Sequence, residues 1–501
     1  MTAAVGLDDG EPWAAVIETH TAALYFAGDR VYKVKKPVDL GFVDFTHASA
    51  RRVACEREVA LNRRLAPDVY LGVAELTDPL RQHSEPVVVM RRMPSRRRLA
   101  TLVTEGAPDV TDGVVAVARL LVDFHARCAI DRDPDSPGSG RAVAELWRTG
   151  LAELQHDADT CVDPVTTARS GRLSARYLAG RDILFAERLA AGRVRDGHGD
   201  LLADDIFLLP DGPRVLDCLE FDPRLRVGDV LADVAFLAMD LERLGAPALA
   251  RQFLDAYREF SAESHPHSLE HFFIAYRAHV RAKVACIRAA QGDRGSQEPA
   301  RALAALSLRH LYDATVRLVL VGGLPGAGKT TIAAGLADRS AWIHLNSDVI
   351  RKELAGLPAT RQHPGTYDEG LYAPATTERA YATMLARAET ALRRGESVVL
   401  DASWHDPELR ARAAGLAREV NAVLIEIEAV ASDEVAAARL HNRRVGPSDA
   451  DIGVRVSMAA QFAAWPRSTR VVTDDPSYDT VAATVEAVRT ATIAAADGTA
   501  H

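Results

Sequence analysis

One stretch constrains the fold of this chain more than any other, residues 319–331, which read Val-Leu-Val-Gly-Gly-Leu-Pro-Gly-Ala-Gly-Lys-Thr-Thr. An apolar run of β-forming residues leads into a glycine-rich turn, and residues 332–337 then carry a helical pattern. A backbone cradle for phosphate needs this order of strand, loop and helix, because the first N–H groups of the helix point at the anion. The stretch therefore predicts a site for a nucleoside triphosphate.

The spacing within this stretch matches the phosphate-binding loop of nucleoside triphosphatases: Gly323, four residues, then Gly328, Lys329 and Thr330. In that loop the backbone N–H groups surround a phosphate, the lysine reaches the β- and γ-oxygens, and the hydroxyl binds Mg²⁺. Glycine allows the backbone to approach the phosphate closely. Lys329 is thus a candidate catalytic residue and Thr330 a candidate Mg²⁺ ligand. The predicted nucleotide-binding residues are Gly323, Pro325, Gly326, Ala327, Gly328, Lys329, Thr330 and Thr331.

The composition describes a globular protein of more than one domain. With 501 residues, the chain is too long for one ordinary hydrophobic core. A net charge of −9 argues against generic binding of nucleic acid. The five cysteines show no metal-binding spacing, and no stretch of about 18 apolar residues occurs, so we expect a cytoplasmic protein with buried thiols and no membrane association. These cysteines are Cys55, Cys128, Cys161, Cys218 and Cys286.

The first part of the chain, residues 1–94, has short β-type runs around one charged helix. The runs between residues 13 and 38 alternate and are separated by Gly28-Asp29, which predicts a hairpin. Residues 51–65 show helical spacing and are followed by Pro67. Further strands are expected at residues 71–76 and 87–90. We predict a β-rich lobe here.

Residues 95–300 differ from the β-rich lobe because most of them show helical spacing. A loop and hairpin rich in acidic residues, residues 196–217, interrupts the helices. A segment of linker composition spans residues 291–299. The sequence predicts a helical lobe, with helices at residues 114–125, 142–155, 173–191, 227–244, 248–260, 272–290 and, after the linker, 300–314.

Downstream of the glycine-rich loop, β-type runs alternate with helical stretches. Alternating strands and helices indicate a parallel, doubly wound sheet. We therefore predict an α/β domain over residues 315–495, with further strands at residues 342–345, 397–400, 422–427 and 470–472.

The helical lobe carries three aspartates in a pattern typical of phosphoryl transfer. Asp200 lies in a His-Gly-Asp-Leu loop, Asp205 follows, and Asp217 ends the next strand. Such a reaction needs a carboxylate near the acceptor hydroxyl and oxygen ligands that hold Mg²⁺ on the nucleotide. Any one of these aspartates alone would be read as a turn or capping residue.

The segment from His198 to Asp205 resembles the catalytic loop His-Gly-Asp-x-x-x-x-Asn of the aminoglycoside phosphotransferase and choline kinase branch of the protein-kinase-like fold. The resemblance implies that Asp200 is the catalytic base and that Asp205 and Asp217 bind Mg²⁺. Asp205 stands where the family has asparagine, which adds a negative charge at the metal.

The same resemblance implies a strand lysine on the nucleotide phosphates and a helix glutamate that holds this lysine. Lys33 is the first candidate for the lysine and Lys35 the second, because both lie on one face of a strand. Glu58 is preferred over Glu56 as the partner, since it leads the apolar part of the helix. Exposed surface charges are the alternative for each. No glycine-rich loop precedes Lys33.

A second set of candidates follows the strands of the α/β domain. Asp348 and Arg351 come after the second strand, where the carboxyl ends of parallel strands surround a ligand crevice. The carboxylate can accept a proton from an attacking hydroxyl, and the arginine can bind an anionic group on the acceptor. Asp348 is also a candidate helix cap. Asp401 ends another strand and is a candidate to bind Mg²⁺ through water.

Two arginines one helical turn apart, Arg439 and Arg443, could close over the phosphates and neutralise charge in the transition state. Together with Ser347-Asp348-Val349-Ile350-Arg351, they resemble small P-loop kinases such as polynucleotide kinase, gluconate and shikimate kinases and the zeta-toxin kinases, with the polynucleotide-kinase-like branch closest. That resemblance covers roughly residues 316–490. It implies a base at Asp348 and an acceptor-binding Arg351.

The expected fold is an α+β protein-kinase-like bilobal domain followed by an α/β P-loop domain with a doubly wound parallel sheet. This combination resembles bacterial fusions of an aminoglycoside-phosphotransferase-like domain with a P-loop domain, and it implies a bifunctional kinase that uses ATP or GTP with Mg²⁺. The acceptors would be a small polar hydroxyl compound for the first domain and a sugar, nucleoside or nucleic-acid hydroxyl for the second. The alternatives are a nucleotide-regulated binding protein with a pseudokinase first domain, and a toxin-like second domain neutralised by the first.

Overall fold

The computed structural model describes residues 12–19, 21–39, 44–78, 83–157, 161–358, 370–442, 450–475 and 478–497. Its first region is a five-stranded antiparallel sheet with one helix packed against it. The elements are β1 (Ala14–Glu18), β2 (Ala22–Ala27), β3 (Arg30–Lys35), α1 (Ala48–Asn62), β4 (Tyr70–Asp78) and β5 (His83–Arg91). The strands lie in the order β1-β2-β3-β5-β4.

The turn between β2 and β3 is the hairpin predicted at Gly28-Asp29. Gly28 has a φ of +57°, which glycine adopts without steric cost. Helix α1 begins and ends three residues before the predicted helix, and its Cys55 and Val59 join the core beneath β5. Phe207 and Leu216 from the helical lobe join the same core, so the two lobes share apolar contacts.

The second region is a helical lobe that contains two small antiparallel strand pairs, β6 with β9 and β7 with β8. Short 3₁₀ turns lie at Ser95–Arg97, Ala203–Asp205 and Arg294–Ser296. The elements are α2 (Leu99–Glu105), α3 (Val110–Arg127), α4 (Gly140–Asp157), α5 (Pro164–Ala179), α6 (Asp182–Ala190), β6 (Val194–Asp196), β7 (Ile206–Leu209), β8 (Gly212–Val215), α7 (Pro223–Arg226), β9 (Val227–Asp229), α8 (Val230–Arg243), α9 (Pro247–Ser261), α10 (His267–Ala290) and α11 (Gln297–Asp313).

The helix predicted over residues 173–191 is two helices, α5 and α6, and this prediction was wrong. The break lies at Gly180 and Arg181, where the chain touches the α/β domain. A Cβ on Gly180 would lie 2.3 Å from the carbonyl oxygen of Val420, and the guanidinium of Arg181 donates to that same oxygen at 2.8 Å. A contact between distant parts of the chain therefore ends α5. The helix predicted over residues 227–244 likewise starts with a short strand, β9, before α8 begins.

The third region is a five-stranded, all-parallel sheet with helices on both faces, in the strand order β11-β12-β10-β13-β14. All six residues of β10 are buried, as a central parallel strand requires. A short 3₁₀ turn lies at Gly370–Tyr372. The elements are β10 (Arg317–Gly322), α12 (Lys329–Ser340), β11 (Ile343–Asn346), α13 (Ser347–Leu354), α14 (Pro374–Arg393), β12 (Val398–Asp401), α15 (Pro407–Glu419), β13 (Val423–Val430), α16 (Asp433–Asn442), α17 (Ile452–Gln461), β14 (Thr469–Val472) and α18 (Tyr478–Asp497).

These three regions confirm the predicted fold class, a bilobal α+β domain followed by a doubly wound α/β domain. One hydrophobic core runs from the helical lobe through α11 to one face of the parallel sheet. Polar contacts reinforce this junction: Arg176 donates to the carbonyl oxygen of Ala422 at 2.6 Å, and Ser268 donates to that of Gly395 at 2.7 Å. The cysteines are all buried, as expected. Within the described ranges, no helix has the length and apolar character needed to cross a membrane.

Candidate functional site

A chain of ion pairs that begins on β3 joins the two lobes of the bilobal domain. Lys33 Nζ lies 2.8 Å from Glu58 Oε1 and 2.7 Å from Asp217 Oδ1. Lys35 Nζ lies 2.8 Å from the other oxygen of Glu58 and 2.5 Å from Glu220 Oε1. Lys33 is therefore the lysine that the structure brings to Asp217, while Lys35 is buried behind it. Glu58 contacts both lysines, whereas Glu56 is exposed.

The charges in this chain stabilise one another. Burial lowers the pKa of Lys33, but the carboxylates of Asp217 and Glu58 outweigh burial and hold this pKa well above its ordinary value. Burial raises the pKa of Glu58, and the two lysines overcome this effect so that its pKa is lowered. Both lysines thus stay charged, and Lys33 presents an ammonium group at the cleft, where its side chain is 14% exposed.

The loop that carries Asp200 is held from below by α8. Asp233, in the first turn of α8, accepts hydrogen bonds from the backbone N–H groups of His198 at 2.5 Å and Gly199 at 2.8 Å. His125 also contacts Asp233, at 3.4 Å. His198 is fully buried, and its Nε2 lies 3.0 Å from the carbonyl oxygen of Leu216. The loop conformation is therefore fixed by the carboxylate of Asp233 and by the buried imidazole of His198.

The three aspartates of the predicted site act on one another electrostatically. Burial raises the pKa of Asp200 to about 6, although Arg281 opposes this shift. Burial, followed by the charges of Asp217 and Asp200, raises the pKa of Asp205 well above its ordinary value. Lys33 holds the pKa of Asp217 below its ordinary value. Such mutually repelling carboxylates fit a divalent cation, because its charge would relieve the repulsion.

Asp217 has an unusual backbone. Its φ is +62°, in the left-handed region that non-glycine residues rarely occupy. The hydroxyl oxygen of Tyr70 accepts a hydrogen bond from its N–H at 3.2 Å, and Asn62 Oδ1 accepts one from the N–H of Cys218 at 2.8 Å. Two residues of the β-rich lobe thus hold the strained conformation, which directs the carboxylate towards Lys33.

The glycine-rich loop of the α/β domain follows β10 and ends at the N-terminus of α12. Gly323 and Gly326 have φ values of +132° and +80°, and a Cβ on either would lie within 2.8 Å of a carbonyl oxygen. Lys329 Nζ donates to the carbonyl oxygen of Leu324 within the same loop, at 3.0 Å. Thr330 is exposed at the start of α12. The predicted phosphate cradle therefore has the strand, loop and helix that its chemistry requires.

A cavity of about 830 Å³ extends from this loop across the carboxyl ends of β11 and β12. Asp348 and Arg351 line it and form an ion pair with each other. The guanidinium carbon of Arg351 also lies 4.6 Å from the centre of the Tyr372 ring. The helix cap is Asn346, whose Oδ1 accepts from the backbone N–H groups of Asp348 and Val349 at 2.9 and 3.0 Å. The carboxylate of Asp348 is thus directed to the cavity rather than to capping.

Asp401 is almost fully buried at the carboxyl end of β12. Its Oδ2 accepts a hydrogen bond from Asn346 Nδ2 at 2.6 Å and lies 3.5 Å from His344 Nε2. Asn346 therefore joins the strand ends of β11 and β12 through its side chain. Asp401 and Thr330 line the same cavity, which is the placement expected of residues that bind a metal beside the phosphates.

Arg439 reaches the loop from α16. Its guanidinium donates to Gly326 O at 3.4 Å and to Thr473 Oγ1 at 2.9 Å. Arg443, predicted to act with it, lies outside the described residues. No sequence pattern indicated Arg455 on α17, which donates to the carbonyl oxygen of Pro325 at 2.7 Å and pairs with Asp433 at 2.9 Å.

A polar group on the acceptor side of the cavity was also not predicted. Ser403 Oγ lies 2.9 Å from His405 Nδ1 and 3.2 Å from the hydroxyl of Tyr381. Trp404, between Ser403 and His405, has a φ of +52°, an outlier for a bulky residue. Strained backbone of this kind concentrates at functional sites, and an aromatic residue three positions after the strand-ending Asp401 is the signal that could have identified the loop.

Comparisons with known proteins cover both parts of the chain. Residues 318–465 match a family model described as an AAA domain. The uncharacterized protein Rv2004c of Mycobacterium tuberculosis is 44% identical over 466 residues, which are 93% of each chain.

Two solved structures resemble separate parts of the chain. A choline/ethanolamine kinase family protein from Mesorhizobium loti is 14% identical, with a TM-score of 0.37, over 60% of this chain and 92% of that chain. A gluconokinase from Sinorhizobium meliloti is 18% identical, with a TM-score of 0.26, over 36% of this chain and 94% of that chain.

Proposed function

Because the chain belongs to the same protein family as Rv2004c of Mycobacterium tuberculosis, and because each of its two domains gathers a lysine and several aspartates, we propose that it is a two-domain phosphotransferase. Each domain transfers the γ-phosphoryl group of ATP or GTP to a hydroxyl acceptor. The observation that carries this proposal is the presence, in each domain, of a lysine placed to bind phosphate and an aspartate placed to serve as the base. In the first domain these are Lys33 and Asp200, and in the second Lys329 and Asp348.

In the first domain, Lys33 binds the nucleotide phosphates and Glu58 fixes its position. Asp200 accepts the proton of the acceptor hydroxyl as the oxygen attacks the γ-phosphorus. A pKa of about 6 suits this role, because the carboxylate is mostly ionised at neutral pH and is still basic enough to take a proton. The hydrogen bonds from the loop backbone to Asp233 keep Asp200 at the mouth of the cleft.

In the second domain, the loop N–H groups and Lys329 bind the β- and γ-phosphates, and Arg439 neutralises the charge that develops during transfer. Asp348 accepts the acceptor proton. Arg351, already paired with Asp348 and 7% exposed, positions an anionic or hydroxyl group of the acceptor. Ser403 and His405 offer further hydrogen bonds to that acceptor.

The donor sets fit Mg²⁺ in both domains, since this ion prefers carboxylate, hydroxyl and water oxygens. Asp205 and Asp217 would hold it in the first domain, and Thr330 would hold it directly and Asp401 through water in the second. When bound, Mg²⁺ draws charge from the β- and γ-phosphate oxygens. Asp205 in the place of asparagine would add one charge to the first set.

The size of the second cavity supports a small acceptor. A volume of about 830 Å³ holds a nucleotide and a sugar-sized or nucleoside-sized molecule, in the range typical of small-molecule sites. The net charge of −9 argues against a nucleic-acid end as the acceptor. For the first domain we propose a small polar hydroxyl compound.

Phosphate transfer from γ-labelled ATP to the components of a metabolite extract tests the proposal. The wild-type chain should label acceptors in two groups, one lost in Asp200→Asn and the other lost in Lys329→Ala. If the wild type labels no component, the two-kinase proposal fails. Asp205 in the place of asparagine, together with the lack of a glycine-rich loop before Lys33, favours one second candidate, a pseudokinase first domain. This candidate would gain support if every label depended on Lys329 alone.

A further inference from the structure

Three metal-ligating side chains that neither proposed site uses come together where α10 packs against α11. His271 lies on α10, and His310 and Asp313 lie one turn apart at the end of α11. One ligand atom from each of these side chains lies within 4.8 Å of the other two. The imidazoles face each other through their Nδ1 atoms, 2.9 Å apart.

A carboxylate behind one imidazole orients it for metal binding. Glu242, near the end of α8, accepts a hydrogen bond from His310 Nε2 at 3.1 Å. Since the carboxylate oxygen accepts this bond, Nε2 of His310 carries the proton. Nδ1 of His310 then turns its lone pair towards His271. Metal-binding histidines commonly have such a carboxylate partner on the other ring nitrogen.

The surroundings provide an entry path to the cluster. His310 is 3% exposed and His271 half-buried, while Asp313 is exposed. A cavity of about 240 Å³ lined by His271 and Asp313 leads to the cluster.

We propose that His271, His310 and Asp313 bind one divalent transition-metal ion of the zinc class. Two imidazoles and one carboxylate are typical zinc ligands, and they leave a fourth position for water. Zinc–nitrogen bonds of about 2.0 Å separate two ligand nitrogens by roughly 3.3 Å in a tetrahedral site, so the imidazoles need to part only slightly from their present contact.

The position of this site connects the two proposed phosphate sites. α8 holds the Asp200 loop through Asp233 at its start and contacts His310 through Glu242 at its end. α11 ends at Asp313, shortly before β10 leads into the glycine-rich loop. The ion would therefore fasten α10 to α11 and stiffen the connection between the domains.

Metal titration of the full chain, stripped with a chelator, tests the site without reference to activity. Co²⁺ should bind at one per chain and give the visible absorption of tetrahedral coordination, and Zn²⁺ should displace it and raise the melting temperature. His271→Gln and His310→Gln should each weaken binding by about 100-fold, and Glu242→Gln by about 10-fold. His47→Gln is the matched control, since that exposed histidine precedes α1 in the β-rich lobe.

Circular dichroism verifies that each variant folds. Asp313→Asn, at an exposed position, should also weaken metal binding, and it replaces any histidine variant that does not fold. Absence of tetrahedral absorption in the wild type would overturn the proposal and leave the pair as a hydrogen bond between two imidazoles. Equal affinity in wild type, His271→Gln and His310→Gln would overturn it as well.

Discussion

The two proposed sites are built in opposite ways. In the first domain, the paired residues Lys33 and Asp217 lie 184 positions apart, and side-chain ion pairs join them. In the second, the proposed phosphate cradle is one continuous loop, whose backbone N–H groups would do most of the binding. The first site therefore depends on buried charges held by tertiary structure, while the second depends on local backbone geometry. A mutation in the buried ion pairs should weaken folding and function together, whereas one in the loop should mainly affect function.

The largest expected effects separate the domains. Asp200→Asn should lower transfer by the first domain about 1,000-fold, because the acceptor loses its base, and leave the second unchanged. Lys329→Ala should lower transfer by the second domain by a similar factor, because a charge on the phosphates is lost, and leave the first unchanged. Labelled products from γ-labelled ATP measure both. The controls are Asp204→Asn, beside Asp205, and Asp338→Ala, on the exposed side of α12. Loss of both product groups in either catalytic variant would contradict the presence of two separate sites.

Removing the carboxylate that both lysines share tests the dependence of the first site on buried charge. Glu58→Gln should lower the free energy of unfolding by about 3–5 kcal/mol, because two buried ammonium groups lose their common partner. Urea denaturation measures this change. Glu56→Gln, on the exposed face of the same helix, should change it by no more than about 0.5 kcal/mol. Equal losses in the two variants would refute the ion-pair account.

A smaller effect is expected at the edge of the second site. Arg439→Ala should reduce kcat of the second domain by about 10- to 100-fold, with little change in the melting temperature, since the guanidinium acts on the phosphates. Steady-state kinetics with the extract-derived acceptor measures it. Glu434→Ala on the same helix is the control. A change in KM alone would show that Arg439 contributes only ground-state binding.

The smallest effect concerns pH and the first site alone. Asp200 must be ionised to accept a proton, and its pKa is raised to about 6, so activity is present above pH 6 and is lost as the pH falls through this value. Transfer by the Lys329→Ala chain should fall about tenfold between pH 7 and pH 5. Arg281→Ala should move the midpoint to higher pH, because Arg281 lowers the pKa of Asp200, while Arg288→Ala should not. A flat profile would exclude Asp200 as the base.

The same contrast explains what could be predicted from sequence. The glycine-rich loop and the His-Gly-Asp loop are local patterns, and both could be located by spacing. The choice between Lys33 and Lys35 could not be made from the sequence, because strand alternation puts both side chains on one face. Only the fold decides which lysine reaches Asp217. Asn346 contacts Asp401 and Arg455 contacts Pro325, and such contacts between distant segments are not revealed by periodicity.

Helix boundaries, too, could be predicted where the pattern is local and not where distant segments meet. Helices with a clear apolar stripe were predicted to within a few residues, as with the helix at 248–260, observed as Pro247–Ser261. The single helix predicted over residues 173–191 was wrong because Gly180 approaches Val420 in the other domain. The physical cause of this error is the approach of two segments that are far apart in the sequence, which leaves no local pattern.

Counting nucleotides per chain tests most directly whether there are two separate sites. Equilibrium binding of a non-hydrolysable ATP analogue with Mg²⁺ should give two molecules per wild-type chain. Lys33→Ala and Lys329→Ala should each remove one of them, and the double variant should bind none. A wild-type chain that binds one molecule, lost in Lys329→Ala and retained in Lys33→Ala, would contradict the two-site account.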